Sequence, residues 1–320
     1  MKAVIMAGGK GTRISSITND EIPKPMLTVG GKTILEHQIE CLKKSGVDEV
    51  IIVTGHLGEK IRDYFKDGSL LGKKISYYEE DPNKPLGTAG SLYYLKDNIE
   101  EDFILIFGDV FLSVDFNKMA EYHHKHSSDA TLLTHPNSHP FDSDLVVVDD
   151  TGKVTGFDSK ENNRDYDYKN LVNSGIYMFS PRVFDYVPEP KKCGLEKDVI
   201  AKMITSGDKV YSYHSTEYVK DMGTPERYYS VNDDYANGLC EHRNLSHKQK
   251  AIFLDRDGTI NVHIPFLVNK NEFELIDGVS EAIRMINSSE YLCIVVTNQP
   301  VIARGECTFA ELDGIHKRME

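Results

Sequence analysis

A chain of 320 residues, 27% of them charged and 40% hydrophobic, has room for about two domains and the composition of a folded protein, which excludes disordered and collagen-like classes. A formal net charge of -13 argues against a surface that grips nucleic acid or an anionic membrane. Phosphate sites survive that test, because a few local cations and backbone N–H groups suffice against an acidic average. Cys41, Cys193, Cys240, Cys293 and Cys307 are scattered without a CxxC pair, which favours reduced thiols and no cysteine zinc site. No run approaches the ~20 apolar residues of a membrane helix. The apolar start, Ala3–Ala7, is too short for a signal-peptide core and runs into glycines, so a soluble, cytoplasmic protein is expected.

Along the chain, continuous apolar runs at Ala3–Met6, Val50–Val53, Phe103–Phe107, Leu145–Val148 and Ile176–Phe179 suit strands covered on both faces. Between the first two, Thr33–Lys44 places Ile34, Leu35, Gln38, Ile39 and Leu42 at helical spacing, with Gly46 as a stop. The alternation predicts an α/β fold with a mainly parallel sheet. A polar, basic stretch at 237–250 predicts a linker between a domain at 1–236 and a smaller α/β segment at 251–320. That segment has a buried strand at Ala251–Leu254, a helix near Val279–Asn287 and a strand at Leu292–Val296.

The first strand runs into AGGKGTR, Ala7 to Arg13. Gly8, Gly9 and Gly11 let the backbone approach a phosphate closely, Thr12 follows, and Arg13 adds a bidentate partner. A tight strand-to-helix turn explains the glycines equally well, and the spacing is neither that of a P-loop nor that of a dinucleotide fingerprint. Farther on, Pro23 and Pro25 brace Lys24, which fixes one ammonium where negative charge can develop. A solvated loop lysine is the plainer alternative.

Taken together, GGKGTR and PKP resemble the sugar-1-phosphate nucleotidyltransferases over roughly residues 1–235. The resemblance implies a Rossmann-like nucleotidyltransferase domain in which an NTP and a sugar 1-phosphate give a nucleotide sugar and pyrophosphate. PLGTAGSL, from Pro85, looks like that family's base-binding turn, with Gly87 and Thr88 at the nucleobase. Asp109, at the end of the Phe103–Phe107 strand, and Asp221, in DMGTPERY, match its metal carboxylates and imply Mg²⁺. Lys160 matches the sugar-phosphate lysine, although Ser159 replaces the usual glutamate before it. Asn173, Gly175 and Glu196 match positions of the sugar pocket. The implied reaction is an in-line displacement at the α-phosphorus by an anionic nucleophile, catalysed through alignment and charge neutralisation by Arg13, Lys24, Lys160 and the metal.

LDRDGTIN, ending the strand at Ala251–Leu254, resembles motif I of the haloacid-dehalogenase-like phosphatases, with Asp255 as nucleophile, Asp257 as acid and Thr297 as the motif II hydroxyl. Residues 253–299 look particularly like heptose 1,7-bisphosphate phosphatases. The family's later lysine and acidic motifs find no match, so this partial segment is expected to be vestigial and inactive. By association it makes D-glycero-D-manno-heptose 1-phosphate and GTP the preferred substrates. Mannose 1-phosphate guanylyltransferase and other hexose 1-phosphate nucleotidyltransferases are alternatives; a metal-dependent glycosyltransferase and a non-catalytic nucleotide-sugar sensor are rivals from other classes. The reading has no nucleic-acid or membrane partner and is compatible with a homo-oligomer. His123, His124 and His126 are expected on a solvated helix face, and Glu79, Glu80 and Asp81 in a solvated acidic turn, although the family often has an acidic residue there.

Overall fold

The computed structural model describes residues 1–319, which form two compact units: 1–159 with 171–246, and 160–170 with 247–319. In the first unit, β1 (Lys2–Ala7) ends in the glycine loop, and a short α1 (Ser15–Thr18) follows. The proline-braced Lys24–Met26 turn leads into a hairpin of β2 (Thr28–Val29) and β3 (Lys32–Thr33). Next comes α2 (Ile34–Lys44), as its periodicity predicts; Thr33 and Glu36 form a capping box that satisfies the first free N–H groups. Then come β4 (Glu49–Thr54), α3 (Gly58–Phe65), β5 (Lys74–Glu79), β6 (Phe103–Phe107), β7 (Val110–Ser113), α4 (Phe116–His126) and β8 (Ala130–His135). The unit is completed by β9 (Leu145–Val148), β10 (Val154–Asp158), β11 (Val172–Phe179), α5 (Ala201–Thr205), β12 (Val210–His214), β13 (Tyr218–Asp221), α6 (Pro225–Ala236) and α7 (Leu239–His242).

The main sheet has nine strands. Strands β6, β1, β4 and β5 are parallel neighbours, and β11 pairs antiparallel to both β6 and β8. The expected parallel core is therefore real, with an antiparallel flank that carries the β11 residues. Two apolar clusters cover its faces: one with Val4, Leu105 and Tyr177, the other with Ile5, Ile52 and Ile106. Neighbouring residues of one strand point to opposite faces, so these strands are apolar throughout.

The predicted linker divides differently from its composition. Cys240 and Asn244 are buried, the Asn244 side-chain amide donates to Ser113 Oγ at 3.2 Å, and the Leu245 N–H donates to the buried Glu217 carboxylate at 3.0 Å. Residues 237–246 thus belong to the first unit, fastened by these polar anchors and by Leu239 and Cys240 packed into an apolar cluster with Phe111, Tyr218 and Val231. On the other side, the Gly30 backbone meets α6: a Cβ there would sit 2.0 Å from the Tyr235 ring, at a φ of +57°. Gly30→Ala should cost about 2 kcal/mol by overpacking and lower the main unfolding transition by roughly 4–8 °C in calorimetry.

In the second unit, β14 (Lys250–Leu254) and β15 (Tyr291–Val295) form a two-stranded parallel sheet, with α8 (Val279–Asn287) between them in sequence. After β15 come α9 (Pro300–Ala303) and α10 (Phe309–Met319). The strand expected to be buried is largely open, with Phe253 67% exposed, since a two-stranded sheet has little to cover it. Residues 160–170 join this unit through Asp167 with Lys270 (2.7 Å) and Arg318 (3.8 Å), and Lys169 with Asp313 (3.1 Å). Among the described residues no helix is long and apolar enough to cross a membrane.

Candidate active site

At the carboxyl ends of β1 and β6 lies a cavity of about 400 Å³ lined by Gly8, Gly9, Gly11, Arg13, Lys24 and Asp109 among others. This edge is where open α/β sheets bind ligands. Gly11 adopts a φ of +63°, and a Cβ there would press on Lys24 Cβ at 3.2 Å, so the loop can wrap over the lysine only as glycine. Lys24 is buried, and its Nζ donates to Asp109 Oδ2 at 2.6 Å. Asp109 sits in the turn between β6 and β7, which the buried Gln38 of α2 clamps by donating its amide to the carbonyls of Phe107 (3.0 Å) and Val110 (2.7 Å).

Strand β13 pairs antiparallel with β7, placing Asp221 opposite Val110 and the Met222 N–H on the Asp109 carbonyl at 2.9 Å. The two aspartates, far apart in sequence, therefore come to adjacent positions. Asp221 accepts the Gly223 N–H on Oδ1 at 3.0 Å and a short ion pair from Arg227 on Oδ2. Burial opposes its charge, yet the Arg227 hydrogen bond and charge, the Lys24 charge and the Gly223 N–H together hold its pKa below the usual carboxylate range. Gly223 lines the cavity, and a Cβ there would lie 3.2 Å from Arg13 Nη2. Two carboxylates with oxygen donors alone, beside lysine and arginine, form a donor set for a hard divalent cation and for phosphates. Among the described residues no group of three metal-ligating side chains exists, so any such ion would complete its shell with water or phosphate oxygens.

The Pro85–Gly90 turn closes another wall. Gly87 has a φ of +79°, and its Cβ would fall 2.4 Å from the Cys193 carbonyl. Thr88 Oγ1 accepts the Leu195 N–H at 2.8 Å, which ties this turn to the π-type turn Leu195–Ile200. Thr88 and Gly87 line the cavity, together with Glu80.

These elements follow the order of a known enzyme family, and a family model described as "Nucleotidyl transferase" matches residues 2–238. The chain belongs to the Nucleotidyl transferase family. It is 32% identical over 243 residues to a UTP–glucose-1-phosphate uridylyltransferase of Synechocystis sp., covering 72% of this chain and 62% of that protein. To a mannose-1-phosphate guanylyltransferase of Mycobacterium tuberculosis it is 31% identical over 240 residues, covering 74% of this chain and 65% of that one. The chain thus spans less than two thirds of the length of these curated relatives. Among solved structures, HddC from Yersinia pseudotuberculosis superposes with a TM-score of 0.63 at 27% identity, covering 73% of this chain and 99% of that one. The same protein complexed with GMP-PN gives 0.62 at 28%, with the same shares covered.

For this nucleotidyltransferase-family chain, the cavity brings together Gly8, Gly9, Gly11, Thr12, Arg13, Lys24, Gly87, Thr88 and Asp109, with Asp221 beside it. Asn173, Gly175 and Glu196 form a neighbouring cluster: Tyr177 donates its hydroxyl to Glu196 Oε1 at 2.5 Å, and the Asn173 amide donates to Tyr177 at 2.7 Å and to Glu196 at 3.3 Å. At Gly175, φ is +76° and a Cβ would strike the Phe107 ring at 2.9 Å, so this glycine keeps the aromatic wall of the cavity in place. Lys160 belongs to the second unit, and the cavity of the first is formed without it.

Two readings of the sequence need correction. Glu80 is buried, not a solvated turn residue; it lines the cavity, with Oε2 where a Gly8 Cβ would approach to 2.9 Å and with Oε1 making no hydrogen bond. Burial pushes its pKa up, and Ser91 and the Leu86 N–H draw it only part of the way back. Gly8→Ala should therefore displace this carboxylate and cost about 1–3 kcal/mol by overpacking, measured by calorimetry. His123 is also buried rather than solvated, with Nδ1 2.8 Å from Thr131 Oγ1, because α4 packs that face on β8. Arg227 was not singled out by sequence. Its signal is Thr224-Pro225, a helix start that sets Arg227 in the first turn after Asp221.

In the second unit, β14 and β15 end side by side, with Asp255 and Asp257 following one and Thr297 the other. Gln299 donates its amide to Asp257 Oδ2 at 2.7 Å and to Thr297 Oγ1 at 2.8 Å. The fully buried Arg256 grips both Asp257 oxygens at 3.0 Å, and Asn261 adds a bond at 3.2 Å.

Proposed function

We propose that the chain transfers a nucleotidyl group from GTP to a sugar 1-phosphate and releases pyrophosphate, as an enzyme of nucleotide-sugar biosynthesis. The observation that carries the reading is the cavity where a glycine loop, Lys24, Arg13 and two adjoining carboxylates converge. Family membership and the uridylyl- and guanylyltransferase relatives support the reaction class.

Arg13 and the loop N–H groups would hold the triphosphate, and Lys24 would neutralise charge at the α-phosphorus as pyrophosphate leaves. Asp109 and Asp221 would hold Mg²⁺, which supplies further charge neutralisation at the phosphates. Since a sugar 1-phosphate oxygen is already an anionic nucleophile, no general base is needed. Thr88 and Gly87 would abut the base, and Glu196, fixed by Tyr177 and Asn173, would accept from sugar hydroxyls. Lys160 would bind the sugar phosphate.

For the base, Glu80 favours guanine. A buried carboxylate accepts without donating, and guanine offers the adjacent N1–H and N2–H donors, whereas adenine presents an acceptor at N1. The guanylyltransferase relative and the structure with GMP-PN lend support to this reading, while the uridylyltransferase relative makes UTP the competing nucleotide.

D-glycero-D-manno-heptose 1-phosphate is the proposed sugar, on the resemblance of 253–299 to heptose 1,7-bisphosphate phosphatases. We read that second site as a phosphatase-like remnant without turnover: Asp257, its would-be acid, is opposed by burial but held below its usual pKa by Gln299, Arg256 and Asn261. Both Asp257 oxygens are thus occupied by groups of the chain itself, and no phosphate release from sugar bisphosphates is expected of this unit. The deciding assay is pyrophosphate release over four NTPs crossed with heptose, mannose and glucose 1-phosphates. Fastest turnover is expected with GTP and the heptose; equal rates across sugars would remove the heptose assignment, and a best rate with UTP the guanine one.

A further inference from the structure

Two carboxylates of the site are already committed to cations of the chain itself: Asp109 to Lys24 and Asp221 to Arg227. Arg227 differs from Lys24 in having a second anchor, since its Nη2 lies 3.2 Å from His139 Nε2. A guanidinium only donates, so His139 presents its lone pair there and carries its proton on Nδ1, which faces Ser138 Oγ at 3.2 Å. One anchor is charged and adjoins the cavity; the other is neutral and lies on the segment between β8 and β9. If Asp221 is withdrawn, Arg227 keeps a pivot.

Charge balance says when that happens. Within these two ion pairs the charges cancel at rest. Catalysis adds a polyphosphate, a sugar phosphate and a divalent cation. A divalent cation and a guanidinium on the same carboxylate repel strongly at contact distance, so Asp221 cannot hold both well. Once released, a guanidinium is a bidentate ligand for a phosphate, and its helix start adjoins Gly223 on the cavity wall.

We propose that Arg227 binds the phosphate of the sugar substrate, is held in reserve on Asp221, and is released when a divalent cation takes that carboxylate. This rests on the reading of Asp221 and of the substrates given above. It gives the first unit a sugar-phosphate cation of its own.

The test uses the full chain with Arg227→Gln and Arg227→Lys, and two measurements. In the first, Mn²⁺ alone is titrated by electron paramagnetic resonance without substrates. Arg227→Gln should bind it about five- to tenfold more tightly than the parent, because the competing cation is gone. In the second, steady-state kinetics should show the KM for sugar 1-phosphate up about tenfold or more in Arg227→Gln, the KM for NTP within about twofold, and partial recovery in Arg227→Lys. Unchanged or weaker Mn²⁺ binding would mean that Arg227 props Asp221 rather than guarding it, and would overturn the reserve. An equal rise in both KM values would overturn the phosphate role. If the parent chain turns over no NTP and sugar phosphate pair, the proposed function fails and the phosphate role with it, while the Mn²⁺ titration still decides whether Arg227 and the metal compete.

Discussion

Asp109→Asn is expected to lower turnover by about a thousandfold while leaving the chain folded. The substitution keeps the shape and one oxygen that can accept from Lys24, but it removes the negative charge that pairs with that buried lysine and that would hold a divalent cation. Asp109 is itself 39% exposed, so solvent screens part of the loss, and the cost in stability should stay near 1–2 kcal/mol. Backbone anchors limit it further, because Gln38 clamps the turn and the Met222 N–H holds the Asp109 carbonyl without using the side chain. Pyrophosphate release and calorimetry together decide the point. Near-normal activity in a folded variant would remove Asp109 from the site.

The second large effect is expected at Glu80. Glu80→Gln exchanges a pure acceptor for an amide that presents a donor to guanine's own donors, and should cost about a hundredfold in kcat/KM for GTP. UTP, whose uracil shows acceptors on both sides of one N–H, should lose far less, so the preference narrows. An equal loss for both nucleotides would assign Glu80 to packing under Gly8 instead. Acidity gives an independent reading. Burial raises the Glu80 pKa, so the carboxylate takes up its proton at a higher pH than an ordinary glutamate does, and the acceptor form is lost as pH falls through that raised value. The KM for GTP should rise on that acid limb, and Glu80→Gln should abolish the dependence.

Much of this site is legible in the sequence because its parts are local. A glycine loop after a strand, a lysine between prolines and an aspartate at a strand end each state their geometry within a few residues. What joins them is tertiary. Asp109 and Asp221 meet only because β13 lies antiparallel against β7, a pairing that sequence spacing does not encode. Glu80 sits in an acidic run that reads as solvated, and only the close approach of Gly8 shows that it is enclosed. Strands without a continuous apolar run, among them β5, β8, β10, β12 and β13, are not marked in the sequence, since Lys74–Glu79, Val154–Asp158 and Val210–His214 interleave apolar residues with polar or charged ones. His123 was obscured in the same way, by a helix face that becomes interior only when β8 packs on it.

The excursion of residues 160–170 into the second unit bears on how such a chain can arise. Joining two genes end to end creates one junction, yet here the chain passes between units three times, near 159, 170 and 246. Asp167 and Lys169 find their partners in Lys270, Arg318 and Asp313, all in the later unit. An expression boundary drawn after Ser246 would therefore leave Asp167 and Lys169 in the shortened chain without Lys270, Arg318 and Asp313, the groups that hold them.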